Sequence, residues 1–302
     1  MCRYGRTPYI WGIRFVKKKT NKNLYLLALL PFLAIVFLYE IMPLCIMVFN
    51  SFQLDGAKET TFTLANYVTA FTKLSYQKAI VNSLKITLIS SAAGIVIAFI
   101  GAQAAHNSVG KFKNAFLTVL NMTSNFAGVP LAFAYMIILG NSGVIIQFAK
   151  TYGIDWLANF DLYTSAGLIL MYVYFQIPLS TLLLIPAFGG VREEWKEANM
   201  LLGGGPAHFW FQIGIPVLLP SILGTISVLF ANALAAYATA YALLMNNYSL
   251  LPVNITGMFT GDMVTRPNLG GALSVVMMIL MCIAILINNY ITKKTAKGGA
   301  RQ

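Results

Sequence analysis

Residues able to do covalent chemistry are scarce in this 302-residue sequence. It has two histidines, His106 and His208, and three cysteines, Cys2, Cys45 and Cys282. No C-x-x-C, no H-E-x-x-H and no other metal-ligand spacing occurs, so the cysteines read as packing residues. Glu40 is the one acidic residue well inside an apolar run. An intramembrane carboxylate marks a functional site by default. Here Glu40 lies within a few residues of Pro43 and the outer boundary of its run, where it reaches water or sits protonated, and a structural role is favoured. Lys85 lies near the end of its run and can carry its ammonium to the interface along its own stem. With no carboxylate pair, nucleophile–base set or metal set, what remains is solute binding and mechanical coupling.

The most informative spacing lies in residues 189–212. The stretch reads Val191-Arg-Glu-Glu-Trp-Lys-Glu-Ala-Asn-Met-Leu-Leu-Gly-Gly-Gly-Pro206, then Ala207-His-Phe-Trp-Phe-Gln212. Val191, Trp195, Ala198 and Leu202 recur at helical spacing, while Arg192, Glu193, Lys196 and Glu197 fall largely on other faces. That predicts an amphipathic helix of about three turns. Gly203, Gly204 and Gly205 followed by Pro206 stop it, because glycine supplies left-handed backbone and proline cannot continue a helix. A second short helix over 207–212 completes a hairpin. Small residues at its turn allow close backbone approach, and such a hairpin suits insertion into a cleft on a partner protein. Phosphate binding is not indicated: no G-x-x-x-x-G-K-[ST] occurs and no strand precedes the glycines.

The elements that hold this hairpin are apolar. Hydrophobic residues make up 58% of the chain and charged residues 10%, with 21 Lys and Arg against 9 Asp and Glu; mean hydropathy is +0.71. A soluble domain carries about a quarter charged residues, so a soluble enzyme, a disordered tail and a disulfide scaffold are excluded. Six apolar runs can cross about 30 Å of hydrocarbon, which takes about 20 helical residues. They are 24–50, 82–105, 114–139, 162–188, 213–245 and 269–291. The first is too long for a signal-peptide core and no small-x-small cleavage site follows it, so it reads as a retained helix. The fold class is therefore an all-α membrane protein with six transmembrane helices.

Charge sets the orientation. Fifteen of the 21 Lys and Arg fall in the N-terminus, 106–113, 189–212 and the C-terminus. The other six are Lys58, Lys73, Lys78, Lys85, Lys150 and Arg266. The bias predicts both termini and the 189–212 loop in the cytoplasm. The net charge of +12 is then a topology and lipid-headgroup signal rather than one for nucleic acid. Outside, 51–81 carries Phe62, Leu64, Tyr67, Val68 and Phe71 in a pattern suited to a helix lying on the surface. The Gly-flanked stretch 144–149 suits a dip into the membrane. Residues 246–268, with Pro252 and Pro267, read as loop with short helical pieces.

Polar residues within the spans are the candidates for touching a solute. The stretch Asn121-Met-Thr-Ser-Asn-Phe-Ala-Gly-Val-Pro130 is unusually polar and small; it lines a pathway or allows close helix packing. Asn232, Tyr237, Thr239 and Tyr241 alternate with alanines in the fifth run. Asn125, Gln176, Asn232 and Tyr237 are the candidate solute contacts, with helix–helix hydrogen bonding as the alternative for each.

The 189–212 loop resembles the EAA loop of bacterial type I ABC importer permeases, whose pattern is E-A-A-x3-G-x9-I-x-L-P. Glu197, Ala198, Gly203, Ile213 and Pro216 match; Asn199 stands where alanine is usual and Ile215 where leucine is usual. The resemblance covers roughly 80–290. It implies a type I ABC importer transmembrane domain, N-in and C-in, in the bacterial cytoplasmic (inner) membrane. The implied layout is a basic tail over 1–23, a first helix and external segment over 24–79, a permease core over 80–291 with its coupling loop at 189–212, and a tail over 292–302. Glu197, Ala198, Gly203, Gly204, Pro206, Ile213 and Pro216 are then the ATPase-coupling residues. The implied partners are two copies of an ABC ATPase subunit, a second, homologous permease, an extracytoplasmic solute-binding protein and membrane lipid. No cofactor is expected on this chain, since ATP and Mg belong to the ATPase, and the chain is not expected to be an enzyme. Residues 235–244 with 267–272 look like the branch of spermidine/putrescine, iron, thiamine and phosphonate systems, implying a small polar solute such as a polyamine or phosphonate. The alternatives are an oligosaccharide importer and, from another class, a secondary transporter driven by an ion gradient. The latter would be expected to carry mid-membrane ionisable residues and inverted repeats.

Overall fold

The computed structural model describes residues 22–56, 62–261 and 265–299. The basic stretch 1–21, with Cys2, and also Lys58, Asp262 and Arg301 lie outside the described residues. Every regular element among the described residues is helical. The chain divides into two compact units, Met1–Met47 and Val48–Gln302.

The first unit contains α1 (Lys22–Val36), a π-helical turn at Phe37–Ile41 and most of α2 (Met42–Asn50). In the π turn the N–H of Met42 reaches back to the carbonyl of Phe37. Glu40 sits in this turn and is exposed.

The second unit holds α3 (Ala65–Thr72), α4 (Leu74–Asn107), α5 (Gly110–Ser124), α6 (Val129–Leu139), α7 (Val144–Thr151), α8 (Asp155–Ala158) and α9 (Ser165–Phe188). It continues with α10 (Glu193–Leu201), α11 (Pro206–Phe209), a π turn (Trp210–Gly214), α12 (Ile215–Leu234), α13 (Tyr237–Leu244), α14 (Leu251–Thr260) and α15 (Pro267–Gly299).

Six described stretches are long and apolar enough to cross a membrane: Leu29–Asn50, Leu74–Asn107, Val129–Thr151, Ser165–Phe188, Pro206–Leu234 and Pro267–Lys294. The number matches expectation, but two of the expected spans are not single helices. The 114–139 run breaks between α5 and α6, where Gly128 adopts φ +74° and Pro130 sits in the first turn of α6. The 213–245 run breaks at Ala235–Ala236 between α12 and α13. The second short helix expected at 207–212 is not separate either: α11 runs through its π turn into α12, so Pro206 begins one continuous apolar stretch. The tail expected from residue 292 is helical as far as Gly299.

α4 and α9 form the backbone of the second unit. α4 buries Ala79, Ser83, Ser90, Ser91, Gly94, Ala98, Ala102 and Ala105. In a bilayer the lipid is as apolar as leucine, so helices associate through close packing, and small residues permit it. Gly94 shows how close: a β-carbon there would come 3.1 Å from Cβ of Gln176 on α9. Around this pair lie three apolar clusters. One gathers Leu131, Leu168, Met171, Leu243, Leu250 and Val253; a second, on the side of the 189–212 loop, gathers Ala98, Ala102, Leu184, Phe188, Leu218 and Leu229. The third joins Ala70, Leu251, Met258, Leu269 and Leu273. Here α3 supplies the expected amphipathic helix: Ala70 is buried while Val68 and Phe71 stay exposed.

Candidate functional site

The 189–212 loop folds as a hairpin. α10 is terminated by a Schellman motif: the N–H of Gly203 donates to the carbonyl of Met200 (3.0 Å) and that of Gly204 to the carbonyl of Asn199 (2.8 Å). The motif demands a left-handed residue, and Gly203 adopts φ +80°. Pro206 opens α11, where its missing N–H costs nothing. Along α10, Lys196 pairs with Glu193 at 2.7 Å. The Arg192 guanidinium lies 5.9 Å from the Trp195 ring centroid.

The base of the hairpin is anchored by aromatic rings. Trp210 meets Phe99 of α4 (5.7 Å), Phe188 of α9 (6.2 Å) and Phe209 (5.5 Å). Gly214 leaves room for its indole: a β-carbon there would lie 2.5 Å from Cε3. The tip is different. Met200, Leu201 and Leu202 are 64%, 89% and 88% exposed. Between α10 and the start of α12 lies an apolar groove of about 550 Å³ that includes Trp195, Leu202, Ile213 and Val217 in its lining.

The expected coupling residues share this hairpin. Glu197 and Ala198 lie exposed on α10, Gly203 and Gly204 form the turn, Pro206 opens α11, Ile213 is half-buried in the π turn and Pro216 opens α12. Two further residues join the hairpin, Asn199, seen in the sequence only as a departure from alanine, and His208, seen there only as one of two histidines. Asn199 is 5% exposed. Its Nδ2 donates to the carbonyls of Gly204 (2.9 Å) and Gly205 (3.3 Å), and its Oδ1 meets Nδ1 of His208 at 2.7 Å.

The two helix breaks meet elsewhere in the unit. The N–H of Gly128, in the α5–α6 break, donates to Oγ1 of Thr239 on α13 (3.0 Å). The phenol of Tyr172 donates to the carbonyl of Ala236 in the α12–α13 break (2.6 Å). Between the breaks lies a cavity of about 400 Å³ whose lining includes Ser124, Gly128, Phe175, Asn232, Tyr237 and Thr239. Non-helical backbone at membrane depth is tolerated where protein or a water-filled cavity satisfies it, and here Thr239 and Tyr172 supply protein partners at the two breaks. Among the described residues, no Asp, Glu, Lys or Arg lines this cavity.

Relatives place the arrangement. The chain is 22% identical over 259 residues to the probable sulfate transport system permease protein cysT of Helicosporidium sp. subsp. Simulium jonesii, covering 83% of this chain and 90% of that protein. It is 23% identical over 155 residues to the thiamine transport system permease protein ThiP of Escherichia coli (strain K12), covering 51% of this chain and 28% of that longer protein. The chain is similar to ABC importer permeases. No protein-family model matches this permease. Its fold matches a bacterial ABC transporter involved in import of the acidic polysaccharide alginate, with TM-score 0.70 and 15% identity, over 90% of this chain and 95% of that one. The permease is a transport subunit rather than an enzyme, and among its described residues no group of three or more His, Cys, Asp or Glu could hold a metal ion.

The four candidate solute contacts of the permease do not stay together. Asn232 and Tyr237 line the cavity. Tyr237 stacks on Tyr241 with ring centroids 5.2 Å apart. Asn125 is exposed and donates to the carbonyl of Asn121 (2.9 Å), closing the end of α5 beside the cavity. Gln176 is fully buried between α9 and α4, where its Nε2 donates to Oγ of Ser90 (3.0 Å) and its Oε1 has no hydrogen-bond partner.

Proposed function

We propose that the permease forms half of a solute pathway and that the 189–212 hairpin docks into a separate ABC ATPase, with both termini cytoplasmic. The observation that carries this reading is the hairpin's tip. Met200, Leu201 and Leu202 are exposed on an element outside the apolar spans, while its base is fixed to α4 and α9 through Trp210. Large apolar side chains held out in this way belong in a partner's cleft. Two ATPase subunits closing on ATP draw the hairpin of this chain toward that of a second, homologous permease. The motion reaches α12 by way of α11, because α11, its π turn and α12 form one continuous stretch. A nucleotide shifts the spans only as far as its contacts differ between the two states.

An external solute-binding protein delivers the ligand to the cavity bounded by Asn232 and Tyr237. The solute is small and polar, a class that a 400 Å³ cavity bearing Ser124, Asn232 and Thr239 accommodates. Its identity follows from measuring which small molecule the co-encoded binding protein retains.

The experiment for the docking role is a thiol crosslink. With Ala198→Cys in the permease and cysteines in the ATPase cleft, oxidation joins the two chains. Absence of any crosslink, with and without nucleotide, removes the coupling assignment.

A further inference from the structure

A Schellman stop is ordinarily completed by an apolar contact between the residue two beyond the cap and the residue three before it. In this hairpin those positions are Gly204 and Asn199. Gly204 has no side chain to offer, and the space is filled by the carboxamide of Asn199: a β-carbon on Gly204 would lie 2.3 Å from Oδ1 and 2.8 Å from Nδ2. Hydrogen bonds take the place of the apolar contact. Nδ2 donates to the carbonyls of Gly204 and Gly205, which fixes the orientation of the amide and leaves Oδ1 to accept. His208 must then carry its proton on Nδ1 and donate to Oδ1 across 2.7 Å.

We propose that Asn199 and His208 form a clamp that fixes the angle between α10 and α11, and that this clamp gives the hairpin the stiffness to pass a push from the ATPase on to α12. This rests on the coupling role proposed above. The backbone bonds of the Schellman motif end at Gly204 and tie only the end of α10 to itself. Beyond them come Gly205, whose carbonyl accepts from the N–H of Phe209 (3.1 Å) but which has nothing within 4 Å of where a β-carbon would be, and Pro206, which is exposed. Glycine rotates freely in such a setting. Without the clamp, a displacement of α10 is taken up at Gly205 and does not reach α12. With it, one buried amide holds the end of α10, the two turn carbonyls and the first turn of α11 together. The alanine usual at this place in the EAA pattern could make none of these bonds. Asn199 and His208 are positioning residues: nothing assigns either a contact with solute or nucleotide.

The test uses the permease assembled with its ATPase and binding protein in proteoliposomes. Three quantities are read: solute uptake, ATP hydrolysis, and the crosslink from Ala198→Cys to the ATPase cleft. Asn199→Ala and His208→Leu are expected to keep the crosslink and the hydrolysis while solute moved per ATP falls by roughly tenfold, the scale of one lost buried hydrogen bond. His208→Gln, which restores an N–H donor, is expected to recover most of the loss; a merely structural histidine would not discriminate Gln from Leu in this ratio. Gly204→Ala is expected to fail as Asn199→Ala does, and to add nothing in an Asn199→Ala background, since its clash partner is then gone. An unchanged ratio in both Asn199→Ala and His208→Leu, with the crosslink intact, overturns the clamp and leaves the coupling role standing. Should Asn199→Ala not insert, His208→Leu alone decides, because His208 is exposed. Loss of the crosslink in the otherwise unaltered chain defeats the coupling role itself.

Discussion

The phenol of Tyr172 on α9 donates to the carbonyl of Ala236 across 2.6 Å, tying α9 to the interruption between α12 and α13. Ala236 belongs to the gap between α12 and α13, where the carbonyl has left the helical ladder. In hydrocarbon such a group must find a partner within the protein. Tyr172, 2% exposed on α9, provides it. The break is therefore a built feature, held open by a side chain from another helix.

Tyr172→Phe removes the donor and little else, since the ring still packs against Phe175 at 5.3 Å. It takes this partner from the half-buried carbonyl of Ala236 and is expected to cost about 0.5–1.5 kcal/mol. Thermal unfolding of the purified protein in detergent measures this. A midpoint equal to that of the unaltered chain would show that the carbonyl has another partner.

Asp55 makes a second long-range tie. Its Oδ1 accepts from the N–H of Asn268 (2.8 Å) and its Oδ2 from the N–H of Leu269 (3.2 Å). These are amides of the first turn of α15, which have no partner within the helix, and a carboxylate there also meets the positive end of the helix dipole. Asp55→Ala is expected to cost about 0.5–2 kcal/mol, in the range of a lost N-cap. Amide exchange at Asn268 and Leu269 should speed up in that variant while exchange in α4 and α9 stays as it was.

The spans were legible because a bilayer core imposes a length of apolar sequence that little else produces. The α5–α6 break was half-legible: its Gly128 and Pro130 stood out as small and helix-breaking, though they suggested a pathway or a packing site rather than an interruption. The α12–α13 break was not legible at all. Ala235 and Ala236 favour helix locally, and what opens them is a pair of bonds from residues far away in sequence, Tyr172 to Ala236 and Gly128 to Thr239. The hairpin's stop at Gly203 was readable from local backbone rules. The role of Asn199 was not, because in sequence it is only a departure from an alanine, and its partner His208 comes within reach only once the turn has formed.

Gly203 separates strain from collision. Its φ of +80° suits glycine, yet nothing lies within 4 Å of where its β-carbon would be. Gly203→Leu is therefore expected to insert and fold, at a backbone cost of about 1–2 kcal/mol. It places a bulky side chain on the exposed face that the docking role gives to the ATPase. Uptake should fall sharply at unchanged membrane abundance, and normal uptake by this variant would count against the docking role.

The cavity and the α4–α9 interface make opposite demands on their polar residues. Gln176 spends one bond on Ser90 and leaves Oε1 unpaired in a site with no exposure. A buried amide that is only half satisfied contributes little net stability, and replacing it with an apolar side chain of similar volume is often close to neutral. Ser90 stays satisfied without it, since its Oγ also donates to the carbonyl of Thr87 (3.2 Å). Gln176→Met is thus expected to shift stability by less than about 1.5 kcal/mol and to leave uptake unchanged. Asn232→Ala, which strips a hydrogen-bonding group from the cavity wall, is expected to raise the concentration of binding-protein-delivered solute needed for half-maximal uptake while leaving the Ala198 crosslink alone. Uptake assays on the two variants side by side separate the roles. If Gln176→Met abolished uptake and Asn232→Ala did not change it, the pathway would run along the α4–α9 seam and not between the broken helices.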